Sequence, residues 1–245
     1  MTRETKSAPP SLLRTLFLSG AAGKLEALLD PGKSDPGHAL PDPIGAPCSV
    51  LVCHPHPLGG GSMHNKVVYH AARVFRDLGW PTLRFNFRGV GLSQGTHHGE
   101  AEVEDVCTAL EWLDREFQRP VLAAGFSFGA AMALRAAHHW PSVAAFLGLG
   151  LPLQTQDRSY AYPEFASWPL PALLLSGDRD PFATPDQLAQ LAAVAGPHVQ
   201  LKLVPGADHF FAHRLDSMQD EIRRWLNTLA LSSQRDPQPA GESTT

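Results

Sequence analysis

The sequence contains no run of about 18 consecutive apolar residues, the least that spans a bilayer, so a transmembrane helix is not expected. Cysteine is scarce, with three residues in 245. Cys48, Cys53 and Cys107 form no C-x-x-C pair and are odd in number, which argues against a disulfide framework and for reduced, buried thiols. Positive charge is short as well: 20 Lys and Arg stand against 24 Asp and Glu, a net charge of −4, which leaves no electrostatic footprint for nucleic acid. The opening segment MTRETKSAPPSLLRTLFLSG has too short and broken an apolar core for a secretory signal, so a cytoplasmic protein is expected. No internal repeat is visible.

What the chain does have is length for one α/β domain, expected over residues 11–231, with polar Pro-containing tails at 1–10 and 232–245. A strand pair is predicted at 14–19 and 24–29, turning through GAAG, followed by a Pro/Gly-rich loop over 30–47. From residue 48 strands and helices alternate. CSVLVCHP, TLRFNF, VLAAG, VAAFLGLG, ALLLSG and VQLKLV read as strands, most of them continuous apolar runs of the kind buried on both faces. The intervening segments carry helical periodicity, and a last amphipathic helix is predicted over 215–229. Right-handed crossovers between such strands build a mostly parallel, twisted sheet of about eight strands with helices on both faces. Functional groups then collect in the loops after the carboxyl ends of the strands.

In one of those loops GFSFG, Gly125 to Gly129, fits G-x-S-x-G between a strand and a helix. A nucleophile raised above a sheet needs a sharp turn, and flanking glycines leave room for neighbouring chain. Ser127 is otherwise an ordinary helix N-cap, a role serine often fills. A nucleophilic hydroxyl also needs a base, and the base an orienting carboxylate. ALLLSGDRDPF delivers Asp178 and Asp180 to one strand end, and VQLKLVPGADHFF delivers His209 to the next, in the chain order Ser, acid, His. Asp180 is preferred to Asp178, which lies nearer the strand and is placed to bond its own turn or Arg179. His209 is preferred to His213, which lies farther along near the last helix.

HPHPLGGGSMHNKVV (54–68), LRFNFRGVGLSQG (83–95), AGFSFG (124–129) and PGADHFF (205–211) together resemble the α/β-hydrolase superfamily. Within it they resemble a branch of small bacterial serine hydrolases with an H-P-H-P-x-x-G-G loop and little or no lid, related to dienelactone hydrolases. The resemblance spans about residues 14–230 and implies an α/β-hydrolase fold with a minimal cap. It implies Ser127 as nucleophile, His209 as base and Asp180 as acid, with no cofactor. It also implies an oxyanion hole using the backbone N–H of Phe128 and a second donor from the loop after Cys53. Pro55 and Pro57 have no N–H to give, so that donor is His56 or Leu58, with His56 favoured. Pro55 stands where the superfamily usually carries glycine.

Other features take simpler readings. GGGSMHNKV lacks the second glycine and the Ser or Thr of a phosphate-binding loop, so no nucleotide site is expected. The histidine pairs 97–98, 138–139 and 54/56 favour structural roles over metal ligation. Arg88 is read as pinning its loop through carbonyls. Only residues 151–171 are available for a lid, with Tyr160, Tyr162, Phe165 and Trp168 as candidate pocket walls or local packing. The expected activity is hydrolysis of small, short-acyl carboxylic esters through an acyl-enzyme. Thioesters, lactones and amides suit the same constellation, and a non-catalytic binding scaffold is the competing class. The partner is a small-molecule ester, with no nucleic acid or membrane; monomer and homodimer both stay open.

Overall fold

The computed structural model describes residues 13–32, 48–155 and 158–235. Two antiparallel strands open the chain, β1 (Arg14–Gly20) and β2 (Gly23–Asp30), where a strand pair was predicted. The predicted 30–47 loop lies outside the described residues from 33 on, as do residues 1–10 and 236–245 of the expected tails. Then come β3 (Ser49–Cys53), α1 (Lys66–Asp77), β4 (Thr82–Phe85), α2 (Glu102–Phe117), β5 (Val121–Phe126) and α3 (Phe128–His138). The second half adds β6 (Val143–Leu149), β7 (Ala172–Gly177), α4 (Pro185–Ala195), β8 (Val199–Val204) and α5 (Leu215–Arg235). The strands form one eight-stranded sheet in the order β1-β2-β4-β3-β5-β6-β7-β8, with β2 antiparallel to β4 and every pair from β4 to β8 parallel.

The alternation of side chains along each strand divides the core in two. In β3, Leu51 and Cys53 face a layer completed by α2 and α3, while Val50 and Val52 face α1 and α5. In β5, Val121 and Ala123 join the first layer, and Leu122, Ala124 and Phe126 the second. Both faces are therefore covered, which is why these strands read as unbroken apolar runs. Each fully buried Leu or Phe contributes about 1.5–3 kcal/mol of burial free energy.

Local signals account for the helix ends. Asn65 caps α1 by accepting the Val67 N–H at 2.9 Å, and Thr184 and Gln187 form a reciprocal capping box on α4. Helix α5 continues past the predicted end at Leu229 to Arg235, into the stretch read as tail. No residue between Leu229 and Pro237 breaks a helix, so loss of apolar periodicity alone does not end it. Between β6 and β7 the described residues form one short 3-10 turn, Pro163–Ser167, and an isolated bridge between Gln154 and Ser159, a minimal cap. Among the described residues no helix is long and apolar enough to cross a membrane.

The loop after β4 is held by charge. Arg88 donates from Nε and Nη2 to Asp105 at 2.7–3.0 Å, and from Nη2 to Glu104 at 3.0 Å, while its own backbone N–H bonds Asp105 Oδ2. Arg88 does pin its loop, but through carboxylates of α2 rather than through carbonyls. Asp105 is fully buried, so the pair is expensive to break from one side only. Asp105→Ala is expected to lower unfolding free energy by about 3 kcal/mol in urea titrations. The double change Arg88→Met with Asp105→Leu should recover most of that loss, and an additive double mutant would contradict the coupling.

Candidate active site

Strand β5 runs into α3 through a single residue, Ser127, at φ 55° and ψ −122°. A non-glycine residue held there carries about 1–3 kcal/mol of strain, which persists only when the surroundings fix it. They do so from both sides: the Ser127 N–H donates to Leu149 of β6 at 2.9 Å, and its carbonyl accepts from Ala130 and Ala131. The two glycines are steric necessities. A Cβ on Gly125 would sit 2.4 Å from backbone atoms of Gly129, and one on Gly129 would sit 2.3 Å from the His54 carbonyl oxygen. Ser127 occupies the N-cap position but its side chain makes no cap hydrogen bond. Its Oγ instead lies 2.9 Å from His209 Nε2.

Asp180 and His209 arrive on the loops after β7 and β8. A Cβ on Gly177, the last residue of β7, would meet the Ala207 carbonyl oxygen at 2.2 Å, so glycine lets the loops after β7 and β8 touch. His209 Nδ1 lies 2.8 Å from Asp180 Oδ2, with both side chains buried. Two further donors reach the carboxylate: Ser176 Oγ bonds Oδ2 at 2.9 Å, and the Phe182 N–H bonds Oδ1 at 2.9 Å. A carboxylate accepts only, so Nδ1 carries the proton and Nε2 is left to accept from the serine hydroxyl. Phe126, Phe182 and Phe210 enclose the imidazole, with ring centroids at 4.9, 4.5 and 5.2 Å. Asp178 points elsewhere, accepting the Gly206 N–H at 2.8 Å, and His213 is exposed in the turn before α5.

Facing this relay is the loop after β3. His54 is fully buried; its Nδ1 donates to the Pro55 carbonyl at 2.6 Å and its Nε2 accepts the Phe87 N–H at 3.0 Å. Both bonds require the neutral ring, and burial pushes its pKa down to about 4. The Leu58 N–H is engaged by His56 Nδ1 at 3.2 Å. Among the described residues, the backbone N–H groups of His56 and of Phe128, the latter opening α3, have no acceptor in the protein. The His56 ring packs edge-on against Phe128 at 4.9 Å and His97 at 4.7 Å. His97 Nδ1 lies 2.8 Å from Glu102 Oε1, close enough for an ion pair but off the line of a hydrogen bond. Fully buried Glu102 also accepts the N–H groups of His98 and Gly99, each at 2.8 Å.

Of the two readings open for Tyr160, Tyr162 and Trp168, pocket walls or local packing, their burial favours local packing. All three are buried in the core layer beneath the short cap: Tyr162 Oη donates to the Pro152 carbonyl at 2.6 Å, Tyr160 stacks on Tyr162, and Trp168 packs on Phe146 and Phe165. Phe210, beside His209, is 55% exposed. It lines a cleft of about 660 Å³ with Asn65, Lys66, His70 and His213. Ser176, Glu102 and Asp105 were not recognised as supports of this site. A polar residue ending the apolar run ALLLSG was the available signal for Ser176. The two acids gave none beyond their place in a helix's first turn.

The alpha/beta hydrolase domain family matches residues 49–234. An uncharacterized protein of Rickettsia prowazekii is 37% identical over 188 residues, covering 74% of this chain and 79% of its own. A crystal structure of an alpha/beta hydrolase of unknown function from Agrobacterium tumefaciens superposes with a TM-score of 0.78 at 29% identity, covering 92% of this chain and 100% of that one. An a/b serine hydrolase without lid from Xanthomonas campestris gives 0.74 at 30% identity, covering 89% and 94%. The chain belongs to the alpha/beta hydrolase family, in its branch without a lid.

The buried His54 makes stability depend on pH. Its folded pKa of about 4 lies below the 6.5 of an exposed imidazole, so between those values the unfolded chain binds the extra proton. This stabilisation is complete above pH 6.5 and is lost as pH falls toward 4, by about 3 kcal/mol. Urea midpoints measured from pH 7 to pH 4 should show that slope, and His54→Gln, less stable at pH 8, should flatten it.

Proposed function

We propose that this hydrolase is a serine esterase that cleaves small, short-acyl carboxylic esters through an acyl-enzyme. The observation carrying this reading is the continuous relay from Ser127 Oγ through His209 to Asp180, at 2.9 and 2.8 Å. Ser127 Oγ attacks the ester carbonyl as its proton passes to His209 Nε2. The carbonyl π electrons move onto oxygen, and the N–H groups of Phe128 and His56 receive that oxyanion. Collapse of the tetrahedral adduct breaks the C–O bond to the alcohol, which takes the proton from Nε2. Water then repeats the sequence on the acyl-enzyme, with His209 as base, and releases the acid and the free serine. Asp180 keeps Nδ1 protonated and faces the imidazolium while it exists. Each oxyanion donor is worth about 3 kcal/mol in such sites.

One feature supports a small substrate: residues 151–171 hold their aromatic side chains in the core, and their described part forms only one short 3-10 turn and an isolated bridge. No cofactor enters the sequence, and a cytoplasmic location agrees with it.

A fluorophosphonate probe should label Ser127, located by peptide mass spectrometry, and Ser127→Ala should abolish both labelling and turnover. A folded wild-type protein that stays unlabelled is instead a binding scaffold. Asp180→Asn should cost about 10³–10⁴-fold in kcat, whereas Asp178→Asn should change it less than tenfold. Across p-nitrophenyl esters of rising acyl length, kcat/KM should peak at two to four carbons, on the order of a short acyl group. A preference for long chains would overturn the substrate size, and faster cleavage of thioesters or lactones would overturn the ester class.

A further inference from the structure

We propose that Ser176 is a positioning residue that sets the proton affinity of His209 through Asp180. This rests on the reading of Ser127, His209 and Asp180 as the reacting relay. Ser176 is the penultimate residue of β7 and is buried with the strand, 1% exposed. Its neighbours in β7, Leu173, Leu174 and Leu175, complete the apolar core on both faces. A hydroxyl in that setting is costly without a partner. Its partner is the Asp180 oxygen that also faces His209: Ser176 Oγ to Oδ2 is 2.9 Å, and His209 Nδ1 to the same Oδ2 is 2.8 Å.

Two donors on one carboxylate oxygen divide its negative charge. The Phe182 N–H fixes the other oxygen, so the plane of the carboxylate is set by the chain on both sides. With Ser176 present, Oδ2 stabilises the imidazolium less than an unshared oxygen would. In the proposed reaction that weaker hold lets the ring return its proton to the leaving alcohol more readily. Without the hydroxyl, His209 alone bonds Oδ2, holds its proton more tightly and gives it up more slowly. Removal therefore changes turnover and the pH profile together, while contacts with substrate are untouched.

Ser176→Ala and the near-isosteric Ser176→Cys test this, with folding checked by circular dichroism and melting temperature. Both variants should lose about tenfold in kcat with KM within about twofold, the size expected for one hydrogen bond to a charged group. The acid limb of their kcat/KM profiles should move up by about half a pH unit. Ser176→Thr, which keeps the hydroxyl, should restore both values. A readout that needs no turnover is the titration of the His209 ring followed by NMR, comparing Ser127→Ala with Ser127→Ala/Ser176→Ala. Its midpoint should rise in the double variant. If wild type neither labels nor hydrolyses esters but this midpoint still rises, the functional reading fails and the coupling of Ser176 to His209 stands. Variants that merely melt earlier, with an unchanged His209 midpoint and unchanged rates, would reduce Ser176 to a structural hydroxyl and overturn the proposal.

Discussion

The site depends on one steric constraint: backbone approaching backbone where β5 meets α3. Gly129 lies against the carbonyls of Cys53 and His54 so closely that even a methyl group has no room, and Gly125 lies equally close to Gly129 itself. That contact brings the end of β3 over the elbow and places the His56 ring against Phe128. It also over-determines Ser127, whose strained φ of 55° is held by the Leu149 carbonyl on one side and the first turn of α3 on the other. Move any of these chains and the serine is no longer presented. The small residues that follow, Ala130, Ala131 and Ala133, are all buried and let α3 lie close enough to the sheet to keep the contact.

Around this point the loops are fixed by buried polar groups rather than by further apolar packing. His54 ties the loop after β3 to Phe87, Asp105 ties Arg88 to α2, and Glu102 ties the turn containing His98 and Gly99 to the same helix. Each of these groups costs free energy to bury and gains it back only when every bond is made. Such an arrangement is intolerant of small displacements, as the proposed oxyanion donors would require. A purely apolar interface would allow those loops to slide.

The sheet was legible because strands buried on both faces leave continuous apolar runs. The elbow was legible for the same kind of reason: Gly125 and Gly129 are demanded by local close approach, and Asp180 and His209 by the ends of consecutive strands. What escaped depends on partners distant in sequence. Glu102 and Asp105 look like ordinary acids in a helix's first turn, and only the fold shows them buried beneath two loops. Tyr160, Tyr162 and Trp168 occupy a segment without periodicity, so nothing in the chain says which way their rings face; the Pro152 carbonyl and the rings of Phe146 and Phe165 decide it. Asp178 and Asp180 differ in sequence by two positions, and the choice rests on which turn each carboxylate completes.

The hydrogen-bond donors around the relay are distributed unequally, and that inequality has a chemical sense. Asp180 is buried and receives three donors, from Ser176, Phe182 and His209. On the other side of Ser127, the N–H groups of Phe128 and His56 have no acceptor among the described residues, while the Leu58 N–H is engaged by the His56 ring. Backbone donors on a helix start and a proline-stiffened loop cannot rotate away to satisfy themselves. They keep their orientation whether or not an acceptor is present, so the proposed reaction would need little reorganisation to place a charged carbonyl oxygen against them. The chain thus gives every oxygen of the Asp180 carboxylate a donor and, among the described residues, leaves the N–H groups of Phe128 and His56 without an acceptor.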